Sequence, residues 1–120
     1  MMKKSVLVID DEKDLCEVIS RALKRDGFEV HCAFNLAEAG HKLSTRPDII
    51  ILDNDLPDGL GIEFIQMHLI EFTQSFVILI SADPGTALQM KDTVEGISAF
   101  LPKPFSIDRM KELIEPMQLI

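Results

Sequence analysis

Four short apolar runs, each leading to a polar residue, restrict what this chain can fold into. Val6-Leu7-Val8-Ile9 runs into Asp10-Asp11, and Ile49-Ile50-Ile51-Leu52 into Asp53. Val77-Ile78-Leu79-Ile80 runs into Ser81, and Ala99-Phe100-Leu101 leads to Lys103. Continuous runs of this length fit strands buried on both faces, as in a parallel sheet covered by helices. Ligand sites in such sheets form outside the carboxyl ends of the strands. One edge is therefore predicted to carry three carboxylates, a hydroxyl and an ammonium.

Helical spacing fills the intervals between the runs. Leu15, Val18, Ile19, Ala22 and Leu23 repeat at helical period, with Gly27 as a C-terminal stop. Phe28 to Ala33 reads as a second strand. Asn35 is placed to cap a helix with apolar positions Leu36, Ala37, Gly40 and Leu43. Ile62, Ile65, Leu69 and Phe72 mark a third helix. Asp83-Pro84 reads as a cap followed by proline at the first helical position, opening a fourth helix with Leu88 and Val94. Ile107, Met110 and Ile114 mark the last helix, which Pro116 should end or kink. Right-handed crossovers turn five such β-α units into a doubly wound α/β fold. Its five-stranded parallel sheet is expected to take the flavodoxin-like order 2-1-3-4-5. The order reverses between the first and third strands, which carry Asp10, Asp11 and Asp53.

Three carboxylates brought together need a cation or protons, because two unit charges about 4 Å apart repel by roughly 4 kcal/mol at an effective dielectric near 20. An oxygen-only set suits Mg²⁺, and no Cys/His pattern for zinc is present. Lys103 supplies a positive charge for a phosphoryl oxygen and Ser81 a hydrogen bond for another. An aspartate can act as the nucleophile and form an aspartyl-phosphate.

Length and composition exclude other classes. A chain of 120 residues with 47 % hydrophobic content is the size of one domain, read as spanning 1–120. A net charge of −8 argues against nucleic-acid binding. No apolar stretch approaches a membrane span, and the start has no export-signal shape, which predicts a cytoplasmic protein. Cys16 and Cys32 lack a CxxC partner and read as buried or half-buried apolar residues, with no disulfide expected in a reducing compartment. His31, His41 and His68 read as surface or structural residues.

Taken in order, these pieces resemble the receiver domain of two-component response regulators. Pro47 to Gly59, containing Asp53-Asn54-Asp55, resembles that family's phospho-acceptor segment, and Asp10-Asp11 its acidic pair. Ser81-Ala82 resembles its Ser/Thr-Ala step, and Lys103-Pro104-Phe105 its lysine-proline motif. The resemblance implies that Asp53 accepts a phosphoryl group from a histidine kinase or a small phosphodonor. It implies that Asp11 and Asp53 bind Mg²⁺ directly, Asp10 largely through water, and Asp55 through its backbone carbonyl. Ser81, Ala82 and Lys103 are implied to bind the phosphoryl group, Ser81 and Phe100 to form the switch, and the Lys103-Pro104 bond to be cis. The implied partners are a sensor kinase or phosphotransfer protein and an output domain or target, with a homodimer through the fourth helix, fifth strand and fifth helix as a candidate. Catalysis would be confined to the chain itself, so no enzyme is expected.

Two other classes compete. Asp53-Asn54-Asp55 reads as the D-x-D signature of a haloacid-dehalogenase-like phosphatase, but that family places the signature near the start of the fold, with its acidic metal pair downstream. A flavodoxin-like flavin carrier would share the fold. The Asp10-Asp11-Glu12 loop would repel its phosphate, and the chain has neither Trp nor Tyr to stack a flavin.

Overall fold

The computed structural model describes residues 3–83, 85 and 95–118. Elements are numbered as they occur among these residues. The main sheet comprises β1 (Ser5–Ile9), β2 (Glu29–Ala33), β3 (Ile49–Asp53), β6 (Phe76–Ser81) and β7 (Ala99–Pro102). These strands are parallel and lie in the order β2-β1-β3-β6-β7, which is the predicted 2-1-3-4-5 order. A short antiparallel hairpin, β4 (Asp55–Leu56) with β5 (Gly59–Leu60), follows the third strand. The helices are α1 (Lys13–Arg25), α2 (Leu36–Lys42), α3 (Gly61–Met67), α4 (Leu69–Phe72) and α5 (Ile107–Gln118). The helix predicted from Leu88 and Val94, and the proline expected to open it, lie outside the described residues.

Alternation along each strand builds two cores. Val6, Val8, Ile49, Ile51, Ile78, Ile80 and Leu101 pack with α1 and α5 through Cys16, Ile19, Leu23, Met110 and Ile114. Leu7, Ile9, Ile50, Leu52, Val77 and Leu79 face the other way, onto Ala39, Leu43, Ile62, Ile65 and Phe72. Both faces are therefore covered, which is why the runs show no polar alternation.

Helix ends follow local chemistry. Gly27 adopts φ +94, and the amides of Gly27 and Phe28 bond back to the carbonyls of Lys24 and Leu23, closing α1 in a Schellman-type turn. The Asn35 carboxamide oxygen accepts the Glu38 amide at 2.8 Å, as expected of its cap. Asp58, from the hairpin after β3, adds a cap from outside the helix: its two carboxylate oxygens accept the Leu36 and Ala37 amides at 2.8 and 3.1 Å.

Several local expectations are corrected. Val18 is 49 % exposed, because Cys16, Ile19 and Leu23 form the line that meets the sheet. Ala37 is exposed and Ala39 takes its buried place in α2. The third predicted helix divides at His68, where φ −123 and ψ 37 leave helical geometry. The His68 amide is there shared between the carbonyls of Phe64 and Ile65. Helix α5 continues through Pro116 to Gln118; so late in the helix, proline forfeits one hydrogen bond without ending it.

Candidate functional site

The strand register assembles the acidic edge. Ile9 pairs with Leu52, so the next residues on β1 and β3, Asp10 and Asp53, emerge side by side at the carboxyl end. The Asp10 amide continues the ladder to the Ala33 carbonyl, and the Asn54 amide to the Ile80 carbonyl. Asp10 is fully buried, Asp53 is 4 % exposed and Asp11 is exposed. Carboxylate oxygens from Asp10, Asp11 and Asp53 lie within 4.8 Å of one another.

Lys103, just beyond β7, reaches across this cluster. Its Nζ is 3.2 Å from Oδ2 of Asp10 and 3.3 Å from Oδ2 of Asp53. The Lys103 amide donates to the Ser81 carbonyl at 2.8 Å, which extends the β6–β7 pairing and aims the side chain at the edge. The Lys103–Pro104 peptide bond is cis. Glu12 supplies a further carboxylate 3.7 Å from the ammonium. Sequence reasoning assigned Glu12 no part in the site beyond repelling phosphate; its place in the acidic triplet Asp10-Asp11-Glu12 was the available signal.

Burial and charge act against each other here. Burial, reinforced by the neighbouring Asp10 carboxylate, raises Asp53 from 3.8 to about 6, although the Asp55 amide and Lys103 favour its ionised form. Burial lowers the Lys103 pKa, but attraction to Asp53 and Asp10 outweighs it and the net shift is upward. Asp10 Oδ1 accepts the Glu12 amide at 2.9 Å. Its buried Oδ2 accepts no hydrogen bond and meets only the charge of Lys103 among the described residues. A buried oxygen of this kind is a ready ligand for a hard cation. Asp11 does not cap α1: Glu12 occupies the cap position, and its side chain makes no capping bond.

The other predicted residues sit around this centre. Asp55 is exposed on β4, and its amide donates to Oδ1 of Asp53 at 3.2 Å. Ser81 is 2 % exposed; its hydroxyl donates to the Asp83 carbonyl at 3.3 Å and accepts the Asp83 amide at 3.0 Å. Ala82 lines a cleft of about 400 Å³ with Glu12, Leu15, Lys103, Pro104 and Phe105. Phe100 is half-buried and packs against the core on the α2–α3 side of the sheet.

A tight turn holds the Asp53 end of β3 in place. Gly61 begins α3 against β3, and a β-carbon there would lie 2.7 Å from the Asp53 carbonyl oxygen and 3.1 Å from Asn54 Cα. Its amide donates to the Asn54 carbonyl at 2.8 Å, while the Asn54 side chain accepts the Ile62 amide at 3.1 Å. The need for glycine at 61 is thus close approach, whereas at Gly59 it is φ +153.

Known proteins share both sequence and fold. Residues 6–115 match the family model described as the response regulator receiver domain. The KDP operon transcriptional regulatory protein KdpE of Escherichia coli is 36 % identical over 89 % of this chain and 48 % of its own length. The response regulator protein PilR of Pseudomonas aeruginosa is 30 % identical over 95 % of this chain and 26 % of its own length. The chain thus spans between about a quarter and about half of these relatives. The response regulator TrrA of Thermotoga maritima, solved in complex with Mg²⁺-BeF, superposes with a TM-score of 0.81 at 26 % identity, covering 95 % of this chain and 98 % of that one. With the family match spanning nearly the whole chain and the five-stranded order shared, this protein belongs to the response regulator receiver domain family.

Proposed function

We propose that Asp53 is the phosphoacceptor of this receiver, and that the chain works as a phosphorylation-controlled switch. The observation that carries this reading is the ammonium of Lys103 lying 3.2 and 3.3 Å from carboxylates of two different strands. Above pH 6, Asp53 is mostly ionised and able to attack. One of its carboxylate oxygens forms a bond to phosphorus. The bond from phosphorus to the donor, a phosphohistidine of a sensor kinase or phosphotransfer protein or a small acyl phosphate, breaks and the donor leaves with the electron pair. Lys103, Ser81 and Ala82 face the transferred oxygens and hold them by charge and hydrogen bonds. Later attack by water on phosphorus returns the carboxylate and inorganic phosphate. Both steps act on the chain itself, so it is not an enzyme toward other substrates.

Asp10, Asp11 and Asp53, with the backbone carbonyl of Asp55, would hold Mg²⁺. The oxygen-only donor set, the 4.8 Å clustering and the Asp10 Oδ2 that accepts no hydrogen bond fit that ion. When bound, it supplies positive charge against the carboxylates and the phosphoryl oxygens. The Mg²⁺-BeF complex of TrrA supports the same assignment.

The switch begins at Ser81. Its hydroxyl is engaged with the Asp83 backbone, and a phosphoryl group on Asp53 would draw it away from that turn. Phe100 would then repack into the space beside it. The face built from β7 and α5 would change shape, offering a surface to an output domain, a target or a second copy. A cytoplasmic location fits a kinase partner; among the described residues, no helix is long and apolar enough to cross a membrane. The phosphatase reading of Asp53 and Asp55 finds no support, since the family match is to receivers and the acidic pair lies upstream of the acceptor.

The test is incubation with acetyl phosphate and Mg²⁺ followed by intact mass measurement, with Asp53→Ala as control. A gain of one phosphoryl group in the parent and none in the variant is expected. No gain in the parent, or an equal gain in Asp53→Ala, would overturn the assignment.

A further inference from the structure

The hairpin that follows β3 is fastened at two points. At its start, the Asp55 amide donates to Oδ1 of Asp53 at 3.2 Å. At its tip, the carboxylate of Asp58 straddles the first turn of α2, with one oxygen 2.8 Å from the Leu36 amide and the other 3.1 Å from the Ala37 amide. Gly59, beside it, lies so close to α2 that a β-carbon there would stand 3.0 Å from Cδ1 of Leu36. The pairs Asp55–Leu60 and Leu56–Gly59 join the start of the hairpin to its tip. Leu36 and Leu56 pack against the same core cluster.

Each partner lacks something the other supplies. Helix α2 has seven residues, too few to be held by helical hydrogen bonds alone. Its first amides need acceptors from outside the helix. The Asn35 side chain takes the Glu38 amide, and the Asn35 carbonyl takes the Ala39 amide. The Leu36 and Ala37 amides are served by Asp58, 22 and 21 residues further along the chain. The hairpin in turn has two paired residues on each strand, which is too little to hold its own place. Helix α2 is the firmer of the two, since Ala39 is fully buried and Leu43 follows it into the core.

A shift of the hairpin reaches Asp53 directly. One oxygen of that carboxylate accepts the Asp55 amide and the other faces the Lys103 ammonium at 3.3 Å. These two contacts fix the plane of the carboxylate. We propose that Asp58 is a positioning residue for phosphoryl capture. By clasping α2 it holds the hairpin, and through the Asp55 amide it keeps the Asp53 carboxylate in the orientation that attacks phosphorus. The inference rests on the reading of Asp53 as the phosphoacceptor.

The test uses the whole 120-residue chain and two readouts. One is the initial rate of mass gain with acetyl phosphate and Mg²⁺. The other is hydrogen exchange of the Asp55 amide, followed by NMR without donor or metal. Asp58→Ala should slow labelling by about three- to tenfold, as modest misplacement of a reacting group does, and speed Asp55 exchange by a similar factor. Asp58→Asn keeps one oxygen acceptor and should fall between Asp58→Ala and wild type; it carries the comparison if Asp58→Ala fails to fold. Ile114→Val thins the core under α5, on the opposite face of the sheet, and controls for lost stability alone. It should leave both readouts at their wild-type values. Asp58 variants that label as fast as wild type with unchanged Asp55 exchange would overturn the proposal, as would Ile114→Val shifting both readouts equally far. Wild-type protein that gains no phosphoryl group would be a different failure: it removes the reading of Asp53, and the role of Asp58 with it.

Discussion

Removing the charge of Asp53 should make the protein more stable while abolishing the phosphoryl capture proposed for it. Asp53 is 4 % exposed beside a buried Asp10, and its pKa stands near 6 instead of 3.8. That gap corresponds to about 3 kcal/mol held against the ionised folded state, at 1.36 kcal/mol for each unit of pH. Screening at the open rim, where Asp11 and Glu12 are exposed, reduces it to about 1–2 kcal/mol. Asp53→Asn keeps an oxygen to accept the Asp55 amide and loses the repulsion from Asp10, together with the attraction of Lys103. The raised pKa says that burial and repulsion outweigh attraction, so the variant should gain about 1–2 kcal/mol at pH 8 without metal. The pH dependence follows from the direction of the shift. The folded state holds this proton more tightly than the unfolded one, so the wild type bears no penalty below pH 4 and acquires it as pH rises through 6. The advantage of the variant should therefore be absent at pH 4 and complete above pH 7. Urea unfolding in EDTA at several pH values measures it. Mg²⁺ should narrow the difference by binding the wild-type cluster more tightly. An Asp53→Asn protein less stable than wild type at pH 8 in EDTA would refute the electrostatic account.

Further outcomes follow from individual contacts. Gly61→Ala places a methyl 2.7 Å from the Asp53 carbonyl and should cost about 1–3 kcal/mol in urea unfolding while slowing phosphorylation, because the backbone that must move carries the acceptor. Asp55→Asn should change the rate of aspartyl-phosphate loss, since this exposed carboxylate follows the acceptor by two residues and its amide already bonds Asp53; an unchanged dephosphorylation rate would remove that role. Asp58→Ala should speed amide exchange at Leu36 and Ala37, whose N–H groups it caps. Because the Asp58 pKa is lowered by those amides, the same protection should fade in wild type as pH falls through its folded-state pKa, below 3.8.

The fold was legible because its strongest signal is redundant. Strands such as Ile49–Asp53 are fully buried on both faces, so each residue carries the pattern independently of its neighbours. Helices with one buried line were read less well: Val18 and Ala37 fall beside that line, and which side faces inward depends on the angle at which the helix meets the sheet. The break at His68 left no mark in the apolar spacing, since Ile65 and Phe72 are both fully buried across it.

By itself the sequence determined the strand runs and the types of side chain that stand at their ends, because hydrophobic period and strand-end position are local properties. Tertiary structure alone decided what each polar group meets. Pairing of Ile9 with Leu52 sets Asp10 beside Asp53, and extension of β7 onto β6 sends Lys103 between them. The packing of α1 on β2 sets the Cys32 thiol against the Cys16 carbonyl, a contact that sequence spacing gives no sign of. Charge, burial and reactivity depend on distances of a few ångströms between residues distant in the chain, and only the packed sheet fixes those distances.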